Sequence, residues 1–199
     1  MYNVSRLERF SPSATIAAVC AGLACAPDSL TQALAWDRGA IDAGQWWRLW
    51  TGHIVHYSLR HALFDAVGVL LMGVLVEIFF TRRIVAAVWL FGAPVISLAL
   101  WWLVPDLVEY RGASAVATLL GVLSGAALWS LMPRCRVVLF ALAAIFLMKV
   151  LGDAFAFQIT LTGLPEDVAV AWQAHVLGIA AAIAVWMCVW ARHAARQRD

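Results

Sequence analysis

The chain has 199 residues, of which 64% are hydrophobic and only 13% charged, and its mean hydropathy is +0.84. Soluble domains run at about 45–50% apolar and about 25% charged, so a soluble enzyme is all but excluded and most of this chain belongs in lipid. The near balance of 14 basic and 12 acidic residues also leaves no field to attract nucleic acid.

Apolar runs broken by charge give six spans, at about 10–27, 61–80, 84–104, 112–131, 137–157 and 168–191. They predict an all-α, polytopic, six-transmembrane-helix bundle in a single domain, 1–199, without internal repeats or linkers. The first span is short and closes at Pro27-Asp28-Ser29. Ala24-Cys25-Ala26, after Arg6 and Arg9, resembles a signal-peptidase site, but Pro27 directly behind it argues against cleavage. Residues 29–60 then form a large first loop. It interleaves Trp36, Trp46, Trp47 and Trp50 with Asp37, Arg38, Asp42 and Arg48, a mix that suits the headgroup layer. A short amphipathic element lying on the membrane is expected around 43–50.

Between the later spans the arginines set orientation. Arg6, Arg9, Arg82, Arg83, Arg134, Arg136, Arg192, Arg196 and Arg198 fall on one side of the six-span arrangement, and only Arg38, Arg48, Arg60 and Arg111 on the other. By the positive-inside rule the first side is cytoplasmic and holds both termini. The cysteines Cys20, Cys25, Cys135 and Cys188 lack metal or redox spacing, so neither a disulfide nor a structural zinc is expected.

An ionisable side chain at bilayer depth costs several kcal/mol and is a functional hypothesis by default. The candidates are His53, His56, His61, Asp65 and Glu77 in or before the second span, Lys149 and Asp153 in the fifth, and His175 in the sixth. Lys149 and Asp153 are one turn apart and read as a structural ion pair. Glu77, beside Arg82 and Arg83, reads as an interfacial anchor. His61 and Asp65, at i and i+4, share one helix face. Small residues follow both Ser114 and His175, so spans four and six are expected to meet along Gly121/Gly125 and Gly178/Ala182. That contact would carry Ser114 and His175 to one depth near the outer leaflet.

Taken singly, a serine at a helix start is a cap, and a histidine in a span bonds a neighbouring helix. Together they suggest acyl chemistry. The imidazole takes the hydroxyl proton, the oxygen attacks a carbonyl, and open N–H groups at the helix start meet the oxyanion. His61 and Asp65 could complete that hole. Haem ligation by the histidines is disfavoured, since most lie in one short stretch. A transporter would want inverted repeats, which are missing here.

These residues resemble the rhomboid family of intramembrane serine proteases over about Trp46 to Trp190. Trp47-Arg48 is similar to the family's Trp-Arg pair in the first loop. His56, His61 and Asp65 resemble its His-x-x-x-x-His-x-x-x-Asn segment, Gly112-Ala113-Ser114 its Gly-x-Ser motif, and Ala174-His175-Val176-Leu177-Gly178 its Ala-His-x-x-Gly helix. The resemblance implies a Ser114 nucleophile and a His175 base. It also implies an oxyanion hole of His61, Asp65 and the Ser114 N–H, a cavity lined by His56, Gly112 and Thr118, and no metal or cofactor.

Gly44-Gln45-Trp46-Trp47-Arg48-Leu49 with Tyr110-Arg111-Gly112 is most similar to the rhombosortase subfamily. That implies membrane-anchored substrates with a C-terminal Gly-Gly motif, a transmembrane segment and a basic tail. They would be cut at the periplasmic side of a bacterial inner membrane. A catalytically inactive relative that binds membrane clients is the alternative. Three positions depart from the family pattern. Asp65 replaces an Asn, and either a neutral Asp65 donates a hydrogen bond or an ionised one orients His61. Ala115 stands where Gly is common. Thr118 replaces an aromatic that stacks on the histidine, which leaves the orientation of His175 to Trp172 or a span-two group.

Overall fold

A computed structural model describes residues 11–155 and 171–196, with side chains up to 188. It is 79% helical. Helix α1 (Pro12–Leu23) starts where Ser11 accepts a hydrogen bond from Ala14 N and Pro12 fills the first turn, a position that needs no N–H donor. Helix α5 (Leu59–Phe79) starts in the same way, with Ser58 accepting from His61 N at 3.1 Å. Its 21 residues reach about 32 Å at about 1.5 Å per residue, enough for a hydrocarbon core of about 30 Å.

The next crossing is irregular. Helix α6 (Arg82–Ala87) passes through a π-turn (Val88–Gly92) into α7 (Ala93–Leu103). Pro94 has no N–H for the Leu90 carbonyl four residues back, and the Trp50 indole donates to that carbonyl at 3.0 Å. Helices α8 (Ser114–Leu131) and α9 (Arg136–Ala154) follow, joined by a 3-10 turn, and α10 (Trp172–Arg196) closes the bundle.

Four stretches are long and apolar enough to cross a membrane, namely Leu59–Phe79, Arg82–Leu103, Ser114–Leu131 and Pro133–Ala154. Two shorter apolar stretches, Pro12–Leu23 and Trp172–Cys188, accompany them. The expected starts of the first and sixth spans, at 10 and 168, and the end of the fifth, at 157, lie outside the described residues. So do Arg6, Arg9 and Arg198.

The first loop is more ordered than expected. Within 43–50 a short helix begins only at Arg48, after Gly44 with φ 92°, a conformation that favours glycine. The loop folds as α2 (Asp28–Leu34), β1 (Trp36–Asp37), α3 (Arg38–Asp42) and α4 (Arg48–Thr51). Two arginines hold it. Buried Arg48 donates to the carbonyls of Gln32 and Ala35 at 2.7 and 2.6 Å. Arg38 donates to the carbonyls of Trp101 and Val104, acceptors that the C-terminus of α7 leaves open, and to that of Leu107 in the loop beyond. Strand β1 pairs antiparallel with β2 (Glu109–Tyr110), Trp36 opposite Tyr110. That strand pair was not legible in the sequence.

Helix α8 is central, and Val116, Leu119, Leu120 and Leu123 lie in the core with Val76, Ile96 and Leu100. The small-residue seam is displaced from the expected one. A Cβ on Gly178 would strike the Ala115 carbonyl and approach Thr118 Cβ to 3.3 Å, so α10 packs on the first turn of α8. Gly121 faces Met72 of α5 instead, and Gly125 faces open space. Helix α1 docks on α5 where Gly73 meets Ser13. The side chain of Glu77, 4% exposed, accepts from Ser11 Oγ, Ser13 N and Ser13 Oγ at 2.9, 2.9 and 2.6 Å. It ties two helices, beyond the anchoring role expected for it, and lies 3.8 Å from Arg82. Helix α9 is the outlier: Val150 and Asp153 alone are buried along it.

Candidate active site

The turn that carries Ser114 is built from backbone upward. Gly112 has φ 132°, and a Cβ there would lie 3.0 Å from Asp65 Oδ2 and from His61 Nε2. Only glycine fits such a position. Its N–H donates to Gly52 O at 3.0 Å, and its carbonyl accepts from the Tyr110 hydroxyl at 2.7 Å. Gly52 in turn sits so close to Trp36 that an added Cβ would fall 2.6 Å from Trp36 Cβ. The turn then enters α8 with Ser114 as its first helical residue, two residues later than expected. Ser114 is half-buried. Beside it lies the Tyr110 phenol, which burial pushes up and keeps protonated.

Beneath Gly112 lies a buried cluster. Asp65 Oδ2 is 3.1 Å from His56 Nε2 and 3.4 Å from His61 Nε2. His56 Nε2 is also 3.4 Å from Ala113 N. One nitrogen cannot donate and accept at once. A good N–H···O distance is about 2.7–3.2 Å, so the bond to Asp65 is the stronger, and His56 donates it. The Nδ1 atoms of His56 and His61 have no protein partner. The two rings meet edge-on at 5.0 Å. Tyr57 stacks on His61 at 6.2 Å, and the Arg111 guanidinium covers Tyr57 at 5.1 Å. His53 belongs elsewhere. It is fully buried and bonds Ala93 O and Ser97 Oγ at 3.1 and 3.0 Å, a tie between the loop and α7.

His175 approaches from α10. Its Nδ1 lies 3.4 Å from Thr118 Oγ1, and Thr118 donates to the Ser114 carbonyl at 2.8 Å. The threonine oxygen therefore accepts from Nδ1–H, and Nε2 keeps its lone pair. That lone pair meets Lys149 Nζ at 3.2 Å, and Lys149 Nζ lies 2.6 Å from Asp153. An ammonium can only donate, which gives the same tautomer. Phe146 of α9 packs edge-on to His175 at 5.6 Å and supplies the aromatic that Thr118 does not. The expected ion pair of Lys149 and Asp153 is present, but its contact with His175 was missed. Tyr110 and Gly52 were missed as well. A tyrosine next to Arg111 carries no sequence signal that it props the turn before Ser114. Among the described residues no group of three or more His, Cys, Asp or Glu side chains could hold a metal ion.

Fold and site together define a helical membrane protein in which the serine-bearing turn before α8 faces a histidine across a small-residue helix contact. The family model for the rhomboid domain matches residues 43–192, and the chain belongs to the rhomboid family. That family is typically made of intramembrane serine proteases that act on membrane-protein substrates within the bilayer. No curated protein matches the chain.

Proposed function

We propose that this chain is an intramembrane serine endopeptidase with a Ser-His dyad, Ser114 as nucleophile and His175 as general base. The observation that carries the reading is the Thr118 bridge, which joins the Ser114 carbonyl to His175 Nδ1 and leaves Nε2 as the basic nitrogen. In the reaction the Ser114 hydroxyl passes its proton to His175 Nε2 while Oγ bonds the substrate carbonyl carbon. His175 then gives the proton to the leaving amine, and water hydrolyses the acyl-enzyme by the same route. The oxyanion is met by N–H groups at the start of α8, with His61 and His56 beneath Gly112. Behind them Asp65 accepts from His56 and orients the rings.

Substrates are membrane-anchored proteins with a C-terminal Gly-Gly motif ahead of a transmembrane tail. A helical peptide bond is shielded, and glycines unwind at little expense. The arginine distribution supports both termini cytoplasmic and Ser114 on the opposite side, and the rhombosortase resemblance makes that side the periplasm of a bacterial inner membrane. The test is co-expression with Gly-Gly-tailed candidates. The wild type is expected to shorten the substrate, Ser114→Ala and His175→Ala are not, and fluorophosphonate is expected to label only proteins that keep Ser114. A folded wild type that takes no label would leave the client-binding alternative.

A further inference from the structure

Neither member of the dyad is engaged with the other in this structure. His175 Nε2 bonds Lys149 at 3.2 Å, while Ser114 lies beside the Tyr110 phenol. An imidazole Nε2 has one lone pair in the ring plane. It serves the Lys149 ammonium or the Ser114 hydroxyl, and cannot serve both with good geometry. Lys149 is held by Asp153, whose side chain is 2% exposed, while the Lys149 side chain is 35% exposed and has room to swing outward. The helix that carries both is the least packed of the bundle, with Val150 and Asp153 its buried residues. Phe140, Ile145, Leu147 and Met148 point away from the protein.

We propose that Lys149, anchored by Asp153, is a positioning latch on His175: it holds the base in its Nδ1–H tautomer and withholds Nε2 from Ser114 until a substrate displaces it. This rests on the Ser114–His175 reading above. Two consequences separate a latch from a mere structural ion pair. Freeing His175 makes a small probe react faster at Ser114, since such a probe brings little binding energy to displace Lys149. For a full substrate, which displaces Lys149 as it binds, the gain falls on KM and leaves kcat near the wild type.

The experiment uses the full chain in detergent micelles. Lys149→Met/Asp153→Asn removes the latch without stranding a buried carboxylate. Its fluorophosphonate labelling rate is expected to rise several-fold over wild type, while Lys149→Arg, which keeps a donor, stays near it. Acylation of His175 by diethyl pyrocarbonate, read by mass spectrometry, is expected to rise in parallel and does not depend on Ser114. A folded double variant with unchanged or slower labelling, or with unchanged His175 acylation, overturns the latch. Should the double variant fail to fold, Asp153→Asn alone gives the same readouts with a smaller rise. If His175 acylation rises but wild type and variants all refuse the fluorophosphonate, the protease reading falls and the latch stands as a contact.

Discussion

At the scale of single residues, the site is a chain of small constraints around one glycine. Gly112 lies against His61 and Asp65, and Thr118 lies between Ser114 and His175. Thr118→Val keeps the shape and removes the oxygen. Nδ1–H then loses its acceptor, and a neutral hydrogen bond of this kind is worth about 0.5–1.5 kcal/mol. The expected result is a roughly 3–10-fold slower fluorophosphonate labelling of Ser114, with the thermal midpoint near wild type. Unchanged labelling would show that Thr118 does not orient the base. Asp65→Asn keeps an oxygen that can accept from His56, so at least partial cleavage of a Gly-Gly substrate is expected. A stable but inactive Asp65→Asn would show that the carboxylate charge itself is required. Ser114, His175, His61 and Asp65 were legible because polar groups in an apolar run stand out. Lys149 was half legible, since Asp153 lies one turn away in sequence while His175 is 26 residues distant. Tyr110 was legible as part of a motif and not as the prop of Gly112, since an aromatic outside a span reads as interface.

At the scale of elements, the spans follow from length and hydropathy, and two of their starts shift for a local reason. Ser58 moves α5 forward to Leu59, and the positive φ of Gly112 delays α8 to Ser114. The seam between α8 and α10 was placed too deep. Small residues mark that helices approach closely, yet the pattern alone cannot tell which glycine meets which helix. Gly178 takes the contact because Ala115 offers bare backbone there. Gly178→Val is expected to push α10 off the first turn of α8. Overpacking of this kind costs about 1–3 kcal/mol. It should lower the thermal midpoint and reduce Ser114 labelling together, whereas Gly125→Val, with open space around it, should change neither. Equal effects at the two sites would refute the observed seam. The first loop defeated sequence reading because its order comes from side chain to backbone ties. Arg38 and Arg48 look like headgroup charges until their carbonyl partners are seen.

At the scale of the whole molecule, the outer layer and the bundle are one unit joined through His53. Burial pulls the His53 imidazole down to about 4 from an ordinary 6.5. The unfolded chain therefore binds the proton more readily than the folded one. The stability that His53 contributes is complete above about pH 6.5 and is lost as pH falls toward about 4. The thermal midpoint in detergent is expected to drop between pH 7 and 5, and His53→Gln to drop less. An identical fall in both would discount the residue.

The tie at Glu77 bears on how the protein is made. Synthesis delivers α1 long before Glu77, so in the nascent chain the Ser11 and Ser13 hydroxyls and the Ser13 N–H lack their acceptor. Each buried group left unpaired costs about 1–3 kcal/mol. Settling of α1 in the membrane is thus completed only when α5 arrives, 64 residues later by the Ser13–Glu77 bond. Released chains truncated after residue 58 should leave α1 open to protease or alkaline extraction, and released chains truncated beyond residue 80 should protect it. Equal protection at both lengths would mean that α1 inserts unaided.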